Sequence, residues 1–303
     1  MLWGIDLGGT KMEVAVLQDD TSIKEILRKR ISTEAEGGFD HIVRRIGTLV
    51  DMAADEMGVR PDKIGMGTPG TIDPSTGLMK NSNTVCLNGT RFHERVEEVL
   101  GIPVAIANDA NCFALAEARF GAATKFPDVH VVFGVILGTG VGGGVVVDGK
   151  IIHGKHGIGG EWGHIFLDAS GGPCYCGQIG CVEQVISGPA LQRYYYQLAG
   201  TKRLLPEIVQ RYLDGSDPIA TQTILRLTSQ FARGIATVIN IIDPDVIVLG
   251  GGVGNIDALY TDLAGSVSKW IFNDRCDTHF VRPELGDSAG VIGAALLNQN
   301  VRA

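Results

Sequence analysis

The stretch that decides the fold is Ile102-Pro103-Val104-Ala105-Ile106, followed directly by Ala107-Asn108-Asp109-Ala110-Asn111. The apolar run predicts a buried strand, and a carboxylate with two amides follows at its carboxyl end. Open α/β sheets bind their ligands at this end of their strands. We therefore expect Asp109 to act as a catalytic base. The alternative is that Asn108 or Asp109 only caps the next helix, which is predicted over residues 112–120.

The composition indicates a globular chain, because 45% of its 303 residues are hydrophobic and 20% are charged. This length allows two domains. A net charge of -8, without runs of Lys or Arg, argues against nucleic acid or an anionic membrane as the main partner. Residues 1–6 contain no basic leader, so we expect no signal peptide and a cytoplasmic protein. We also expect no membrane-spanning helix, since no apolar stretch approaches the required length of roughly 20 residues.

A glycine turn, Gly8-Gly9-Thr10-Lys11, joins a predicted strand at 2–7 to a returning strand at 12–17. This pattern predicts a hairpin. It differs from the P-loop and the dinucleotide fingerprint, where the glycines open a helix. We interpret the turn as binding a phosphate through its backbone amides and the Thr10 hydroxyl, with Asp6 holding a hydrated Mg²⁺. An ordinary hairpin turn is the alternative.

A second turn of the same kind, Gly138-Thr139-Gly140, follows a β-type run at 129–137 and precedes a strand at 145–147. The repetition predicts an internally duplicated fold, in which the two turns face each other across a cleft and hold the phosphates of a nucleotide. A third glycine cluster, Gly250-Gly251-Gly252, follows a strand at 246–249, with a helix expected from about Asp257. It would let a base or ribose approach the backbone, although a tight structural turn is an alternative.

One histidine and three cysteines have metal-ligand spacing: His164, Cys174, Cys176 and Cys181. This set predicts a closed, four-coordinate and therefore structural zinc site. A redox pair, or unpaired thiols in a core, would be the alternatives. Glu161 and Glu183 flank the cluster, so the zinc would fix a loop that presents two carboxylates to the cleft. Either glutamate could instead be a solvated surface charge.

A polar loop after Pro69-Gly70 contains Asn81, Asn83 and Asn88. An asparagine amide can both donate and accept hydrogen bonds, which suits a ligand rich in hydroxyl groups. Asparagine is also common in loops for backbone reasons alone.

Together, these motifs resemble the ROK family of bacterial sugar kinases, in the family's order and over nearly the whole chain. The resemblance implies an α/β, actin-like ATPase (ribonuclease H-like) duplicated fold, with two α/β domains around a central cleft. It implies ATP, Mg²⁺ and structural Zn²⁺ as cofactors, and often a homodimer. We expect a small domain at 1–107 plus about 287–303, and a larger domain at 108–286. The family's repressors carry a helix-turn-helix segment before the first glycine turn, and from the position of Asp6 we expect none here.

The resemblance also implies roles for single residues. Asp109 would take the proton from the C6 hydroxyl of a sugar as this oxygen attacks the γ-phosphorus of ATP. The expected sugar contacts are Gly70, Asn83, Asn108, Asp109, Glu161, His164 and Glu183. The expected nucleotide contacts are Asp6, Gly8, Gly9, Thr10, Lys11, Gly138, Thr139, Gly140, Gly250, Gly251 and Gly252.

The loop from Gly67 through Asn83 to Leu87-Asn88-Gly89 is similar to that of the family's fructokinases and mannokinases, so fructose or mannose is the expected substrate. N-acetylglucosamine, glucose and N-acetylmannosamine are the alternatives. Two other classes are also considered. One is a sugar sensor without activity, against which the intact Asp109 and both glycine turns argue. The other is a chaperone-like ATPase, which would have no need of the cysteine cluster.

Overall fold

The computed structural model describes residues 1–299. The strands are β1 (Leu2–Leu7), β2 (Lys11–Leu17), β3 (Glu25–Ser32), β4 (Ile64–Thr68), β5 (Thr71–Ile72), β6 (Met79–Lys80), β7 (Val104–Asn108), β8 (Val131–Leu137), β9 (Val141–Val147), β10 (Lys150–Ile151), β11 (Val246–Gly250) and β12 (His279–Val281). The helices are α1 (Phe39–Met57), α2 (Phe92–Leu100), α3 (Asp109–Arg119), α4 (Val182–Ile186), α5 (Gly188–Ala199), α6 (Leu205–Leu213), α7 (Pro218–Ile242), α8 (Gly251–Gly254), α9 (Leu263–Val267) and α10 (Ala289–Leu296). Short 3-10 turns connect several of them.

The chain forms two compact units. The first contains Met1–Lys125, Gly144–Gly159 and the segment from Glu284 onward, and the second contains Phe126–Gly143 and Gly160–Pro283. These units differ from the predicted domains, because α3 belongs to the first unit. The predicted boundaries at 107 and 287 stay a proposal.

The first sheet has the strand order β3-β2-β1-β4-β7. β1 and β2 form the predicted antiparallel hairpin, whereas β1, β4 and β7 run parallel. Alternation along β1 places Trp3, Ile5 and Leu7 in the hydrophobic core formed with α1 and α2. Gly4 and Asp6 therefore lie on the opposite face. The parallel pairing brings the carboxyl ends of three strands to one edge of the sheet.

Glycines on that opposite face allow α10 to pack directly on the strands. A Cβ added at Gly4 would overlap backbone atoms of Val291 and Ala295 in α10, and one at Gly65 of β4 would overlap the Ala294 carbonyl. A Cβ at Gly290 would lie 3.0 Å from an Asp6 carboxylate oxygen. The final helix therefore packs directly on the strands of the first sheet.

The second sheet has the order β10-β9-β8-β11-β12 and repeats the plan of the first. In each sheet a hairpin (β1 with β2, β8 with β9) continues into two parallel strands. Parallel pairing of β8 with β11 places the turn that follows Leu137 at the same edge as Gly250. The predicted duplication is thus visible in the strand order.

Two local predictions need correction. Helix α3 begins at Asp109 rather than Cys112, because Asn108 already caps it. The helix expected from about Asp257 is a single 3-10 turn, Asp257–Tyr260, and the helical backbone after β11 is the short α8. Gly251 permits that early start, because its φ is +83° and a Cβ there would overlap the backbone of Leu137; a Cβ at Gly254 would likewise lie 2.9 Å from the Leu249 carbonyl oxygen. Within the described residues, every helix is too short or too polar to cross a lipid bilayer.

Candidate functional site

The first glycine turn presents its backbone to solvent. The Gly8 amide donates to the Lys11 carbonyl at 2.9 Å, which closes the turn. The hydroxyl of Thr33 donates to the Gly8 carbonyl at 2.7 Å and fixes the turn from the side of β3. Gly9, Thr10 and Lys11 are exposed. Their arrangement suits a phosphate ligand, and that role stays a prediction.

Two carboxylates meet at the edge of the first sheet where β1 and β7 end. Burial, together with the charges of Asp109 and Glu13, raises the pKa of Asp6 to about 6. The Asp109 side chain is exposed, yet the dense protein around its carboxyl weakens hydration of the charged form and so raises its pKa. The hydrogen bond from the Ala110 amide at 2.8 Å has the opposite effect and lowers the pKa. A carboxyl with a raised pKa is a stronger base, which is what proton removal from an alcohol requires.

Asn108 is the N-cap of α3. Its Oδ1 accepts a hydrogen bond from the Asn111 amide at 2.8 Å, so the capping interpretation is confirmed for Asn108. Asp109 lies one residue further on, in the first turn of the helix. The Asn108 side chain is largely buried, and its contact with a sugar stays a prediction.

The loop after β4 is held in one conformation by backbone packing and by Asn88. A Cβ at Gly70 would lie 2.6 Å from the Lys80 carbonyl oxygen, so glycine is needed for this approach. The Asn88 side chain bonds both the amide and the carbonyl of Ser82 at 2.8 Å. Leu87 is fully buried in the core. Asn88 and Leu87 therefore shape the loop, and Asn83 remains its candidate sugar contact.

Asn83 lines a cavity of about 590 Å³ in the first unit. Five of its lining residues, Ala35, Glu36, Thr84, Val85 and Cys86, were not singled out from the sequence. Ala35 and Glu36 belong to a 3-10 turn that carries no recognisable motif. The cavity is lined by Gly9, Thr10, Ala35, Glu36, Asn83, Thr84, Val85 and Cys86.

The second glycine turn is in the second unit, between β8 and β9. The Gly138 amide donates to the Gly140 carbonyl at 2.9 Å, and the Gly138 carbonyl accepts from the Gly188 amide at 2.8 Å. Gly251 has a φ of +83°, and a Cβ there would overlap the backbone of Leu137. The two glycine clusters of this unit therefore pack against each other, as the parallel pairing of β8 with β11 requires.

A cavity of about 630 Å³ opens beside these turns. Of the expected nucleotide contacts in this unit, Gly138, Thr139 and Gly252 line the cavity, whereas Gly140, Gly250 and Gly251 are not among its lining residues. Nucleotide binding by these residues stays a prediction. The rest of the lining comes from α5, α6, Val253 of α8 and the segment after α8, none of which the sequence singled out as part of a site. These additional residues include Pro189, Gln192, Leu205, Val209, Gln210, Tyr212, Val253 and Asn255.

The predicted metal ligands converge. One ligand atom from each of His164, Cys174, Cys176 and Cys181 lies within 4.8 Å of the other three. The Cys176 and Cys181 sulfurs are 3.6 Å apart, as are the Cys174 sulfur and His164 Nδ1. Ligands on a tetrahedral zinc, with bonds of about 2.3 Å to sulfur, lie roughly 3.8 Å apart or slightly less. The donor set and its spacing fit Zn²⁺.

Next to this cluster, Tyr175 contacts the outer nitrogen of the histidine. Its hydroxyl oxygen lies 3.0 Å from His164 Nε2. Partial burial, and the nearby carboxylates of Glu183 and Glu161 among other charges, raise the pKa of Tyr175 to about 12. The phenol therefore keeps its proton. Glu183 accepts a hydrogen bond from the Val141 amide at 3.0 Å, so it is not a free surface charge.

Comparison with known proteins gives one consistent result. The sequence model of the ROK family matches residues 2–301. An N-acetyl-D-glucosamine kinase from Erwinia tasmaniensis is 35% identical over 311 residues, covering 98% of this chain and 99% of that protein. A second N-acetyl-D-glucosamine kinase, from Aliivibrio fischeri, is 33% identical over 308 residues, with the same coverage of 98% and 99%.

Comparison with solved structures also points to the ROK family. The crystal structure of a ROK hexokinase from Thermus thermophilus matches with a TM-score of 0.86 and 32% identity, covering 98% of this chain and 97% of that one. A ROK family glucokinase from Streptomyces griseus, solved with glucose and AMPPNP, matches with a TM-score of 0.77 and 28% identity, covering 99% of both chains. These matches confirm the predicted α/β, actin-like ATPase fold.

Proposed function

The chain belongs to the ROK family, and from this premise we propose that it is an ATP-dependent sugar kinase that phosphorylates the C6 hydroxyl of a hexose. The observation that carries this proposal is the position of Asp109. Its carboxyl is open to solvent, has a raised pKa and stands at the carboxyl end of β7. The relatives reported above are sugar kinases.

In the proposed reaction, Asp109 accepts the proton of the C6 hydroxyl while the oxygen attacks the γ-phosphorus in line. Phosphoryl transfer needs mainly positioning and charge stabilisation from the protein. Asp6 would hold Mg²⁺, which supplies positive charge to the phosphates. The turns at 8–11 and 138–140, with the glycines at 250–252, would bind ATP. Gly70, Asn83, Asn108, Glu161, His164 and Glu183 would contact the sugar.

Zinc would have a structural role in this scheme. Four protein ligands leave no open position on a tetrahedral ion, so the metal itself cannot bind the substrate. It would hold His164 in one orientation, with Nδ1 on the metal and Nε2 protonated. The protonated Nε2 is then available to a hydroxyl oxygen.

Two observations bear on the identity of the sugar. The curated relatives reported above are N-acetyl-D-glucosamine kinases, which favours that sugar. The loop Leu87-Asn88-Gly89 resembles fructokinases and mannokinases, which favours fructose or mannose. Because Leu87 and Asn88 are held by the core and by Ser82, they shape this loop without lining the cavity beside Asn83. The resemblance of this loop therefore says little about the sugar that the cavity would accept, and we place N-acetylglucosamine first and fructose or mannose second.

The test is ADP release with ATP and Mg²⁺ over a panel of N-acetylglucosamine, fructose, mannose, glucose and N-acetylmannosamine. We expect turnover with at least one sugar. The Asp109→Asn variant should lose roughly 10²- to 10⁴-fold in kcat, the usual contribution of a general base. Asp20→Asn, a change of the same kind at an exposed residue, is the matched control. Sugars that raise the thermal midpoint without turnover would instead indicate a sugar-binding sensor.

Quaternary structure belongs to the same proposal. We propose a cytoplasmic homodimer, on the basis of family resemblance. Light scattering coupled to size-exclusion chromatography measures the mass directly, and a mass of one chain would contradict the dimer without affecting the kinase proposal.

A further inference from the structure

Residues within and just after the segment that carries the metal ligands contact the second glycine turn. The indole nitrogen of Trp162 donates to the Gly142 carbonyl at 3.0 Å, and a Cβ at Gly163 would overlap the Val141 carbonyl. The Gly188 amide donates to the Gly138 carbonyl at 2.8 Å. Glu183 adds the contact described above with the Val141 amide. Residues on both sides of the cysteine cluster thus support the turn.

The contact made by Glu183 differs from the others because a charged side chain makes it. Its Oε2 lies 3.0 Å from the Val141 nitrogen, immediately after the turn. A Cβ at Gly140 would lie 2.7 Å from this oxygen, so the carboxylate would have to move from this position if residue 140 carried a side chain. Hydrogen bonds from an amide to a charged acceptor are among the stronger ones in proteins.

Two backbone amides of the turn are left to bind a ligand. The Gly138 amide is used inside the turn and the Val141 amide is used by Glu183. Among residues 1–299, the amides of Thr139 and Gly140 have no hydrogen-bond acceptor. Such amides bind a phosphate more tightly when the turn already has the binding conformation. A mobile loop would lose conformational entropy on binding, and this loss would lower the affinity.

We propose that Glu183 is a positioning residue for the nucleotide: by holding the Val141 amide, its carboxylate fixes the Gly138–Gly140 turn in the conformation that binds phosphates. This inference rests on the proposed kinase function, which assigns Glu183 to the sugar and the turn to ATP. It adds that the same carboxylate supports nucleotide binding when no sugar is present. A carboxylate beside a phosphate site would otherwise be unfavourable, so its role is to anchor the backbone and not to attract the ligand.

The experiment is calorimetric titration of the full chain with ADP and Mg²⁺, without sugar. Glu183→Ala removes the acceptor and should weaken ADP binding about tenfold, the scale of one charged hydrogen bond. Glu183→Gln keeps an acceptor oxygen of similar reach and should retain most of the affinity. Glu98→Ala, an exposed glutamate on α2, is the control and should bind ADP like the unaltered chain.

A steric variant tests the same contact from the other side. Gly140→Ala places its Cβ 2.7 Å from the present position of the carboxylate oxygen, so it should displace the carboxylate and also weaken ADP binding. In the Glu183→Ala background the collision is absent, and the added effect of Gly140→Ala should be smaller. This non-additivity is the signature of a direct contact. Thermal unfolding of each variant shows that the second unit remains folded.

The outcomes separate the two proposals. If the unaltered chain binds no ADP, the kinase proposal fails and this inference fails with it. If the unaltered chain binds ADP and Glu183→Ala binds it equally well, only the inference is wrong and Glu183 serves the sugar alone. Equal losses in Glu183→Ala and Glu183→Gln would also contradict it, because charge rather than the accepted hydrogen bond would then be responsible.

Discussion

The hydroxyl oxygen of Tyr175 lies 3.0 Å from Nε2 of His164, whose Nδ1 faces the Cys174 sulfur at 3.6 Å. A histidine that binds a metal through one nitrogen usually has its other nitrogen held by a second group. Here that second group is an exposed phenol. If Nε2 contacts the sugar, as we propose, the phenol occupies the place of a sugar hydroxyl and must leave when the sugar binds.

Tyr175→Phe is therefore expected to tighten sugar binding. The free protein would no longer have a hydrogen bond to break, and such a bond contributes about 0.5–1.5 kcal/mol, or roughly two- to tenfold in affinity. The measurement is the KM for the preferred sugar at saturating ATP. Tyr196→Phe, at another exposed tyrosine, should leave it unchanged. A higher KM in Tyr175→Phe would mean that the phenol itself contacts the sugar.

One equivalent of zinc per chain is expected. Cys181 is fully buried among the ligands, so Cys181→Ser should lose the metal and lower the thermal midpoint. Cys276→Ser, at a half-buried cysteine outside the cluster, is the matched control and should keep one zinc. Plasma mass spectrometry gives the stoichiometry. A zinc-free unaltered chain, purified without chelators, would show that the cluster is a group of thiols.

The raised pKa of Asp6 predicts a pH-dependent stability. Its folded value of about 6 lies above the value of about 3.9 for a free aspartate, so the ionised carboxyl destabilises the fold above pH 6 and the penalty disappears below pH 4. Asp6→Asn should therefore raise the free energy of unfolding by about 2 kcal/mol at pH 8, allowing for partial exposure. Urea denaturation at pH 8 and pH 4 tests this. An equal change at both pH values would contradict it.

Local patterns could be read from the sequence because all their members lie close together in the chain. The glycine hairpins and the four metal ligands are of this kind, and each is brought together as expected. The contact between Glu183 and the Val141 amide could not be predicted, since 42 positions separate the two residues. The contribution of α6 to the cavity beside the second glycine turn could not be predicted either. The apolar residues of α6 follow a helical period, and this period is the same for a cavity wall and for a packed core.

The glycines of the first sheet show a second limit. Gly4 and Gly65 are ordinary strand glycines in the sequence, with no turn to explain them. Glycine is required at both positions because α10, more than 200 positions later in the chain, packs directly against them. This contact is visible only in the folded structure. The raised pKa of Asp6 has the same origin, because it depends on neighbours from other parts of the fold.

Helix α10 packs on α3, the helix whose first residue is Asp109. A substitution at this contact is therefore expected to destabilise the part of the fold that carries the proposed base. A Cβ at Gly293 would overlap the carbonyl of Cys112, and a backbone group cannot rotate away as a side chain can. Gly293→Ala should therefore separate the helices and lower the free energy of unfolding by about 3 kcal/mol, the upper part of the range for overpacking. At Gly47 on α1 the added Cβ would meet only a Val99 methyl at 3.1 Å. Gly47→Ala should be neutral or stabilise by up to about 1 kcal/mol through helix propensity. Urea denaturation compares the two variants, and equal stabilities would contradict the close contact between α10 and α3.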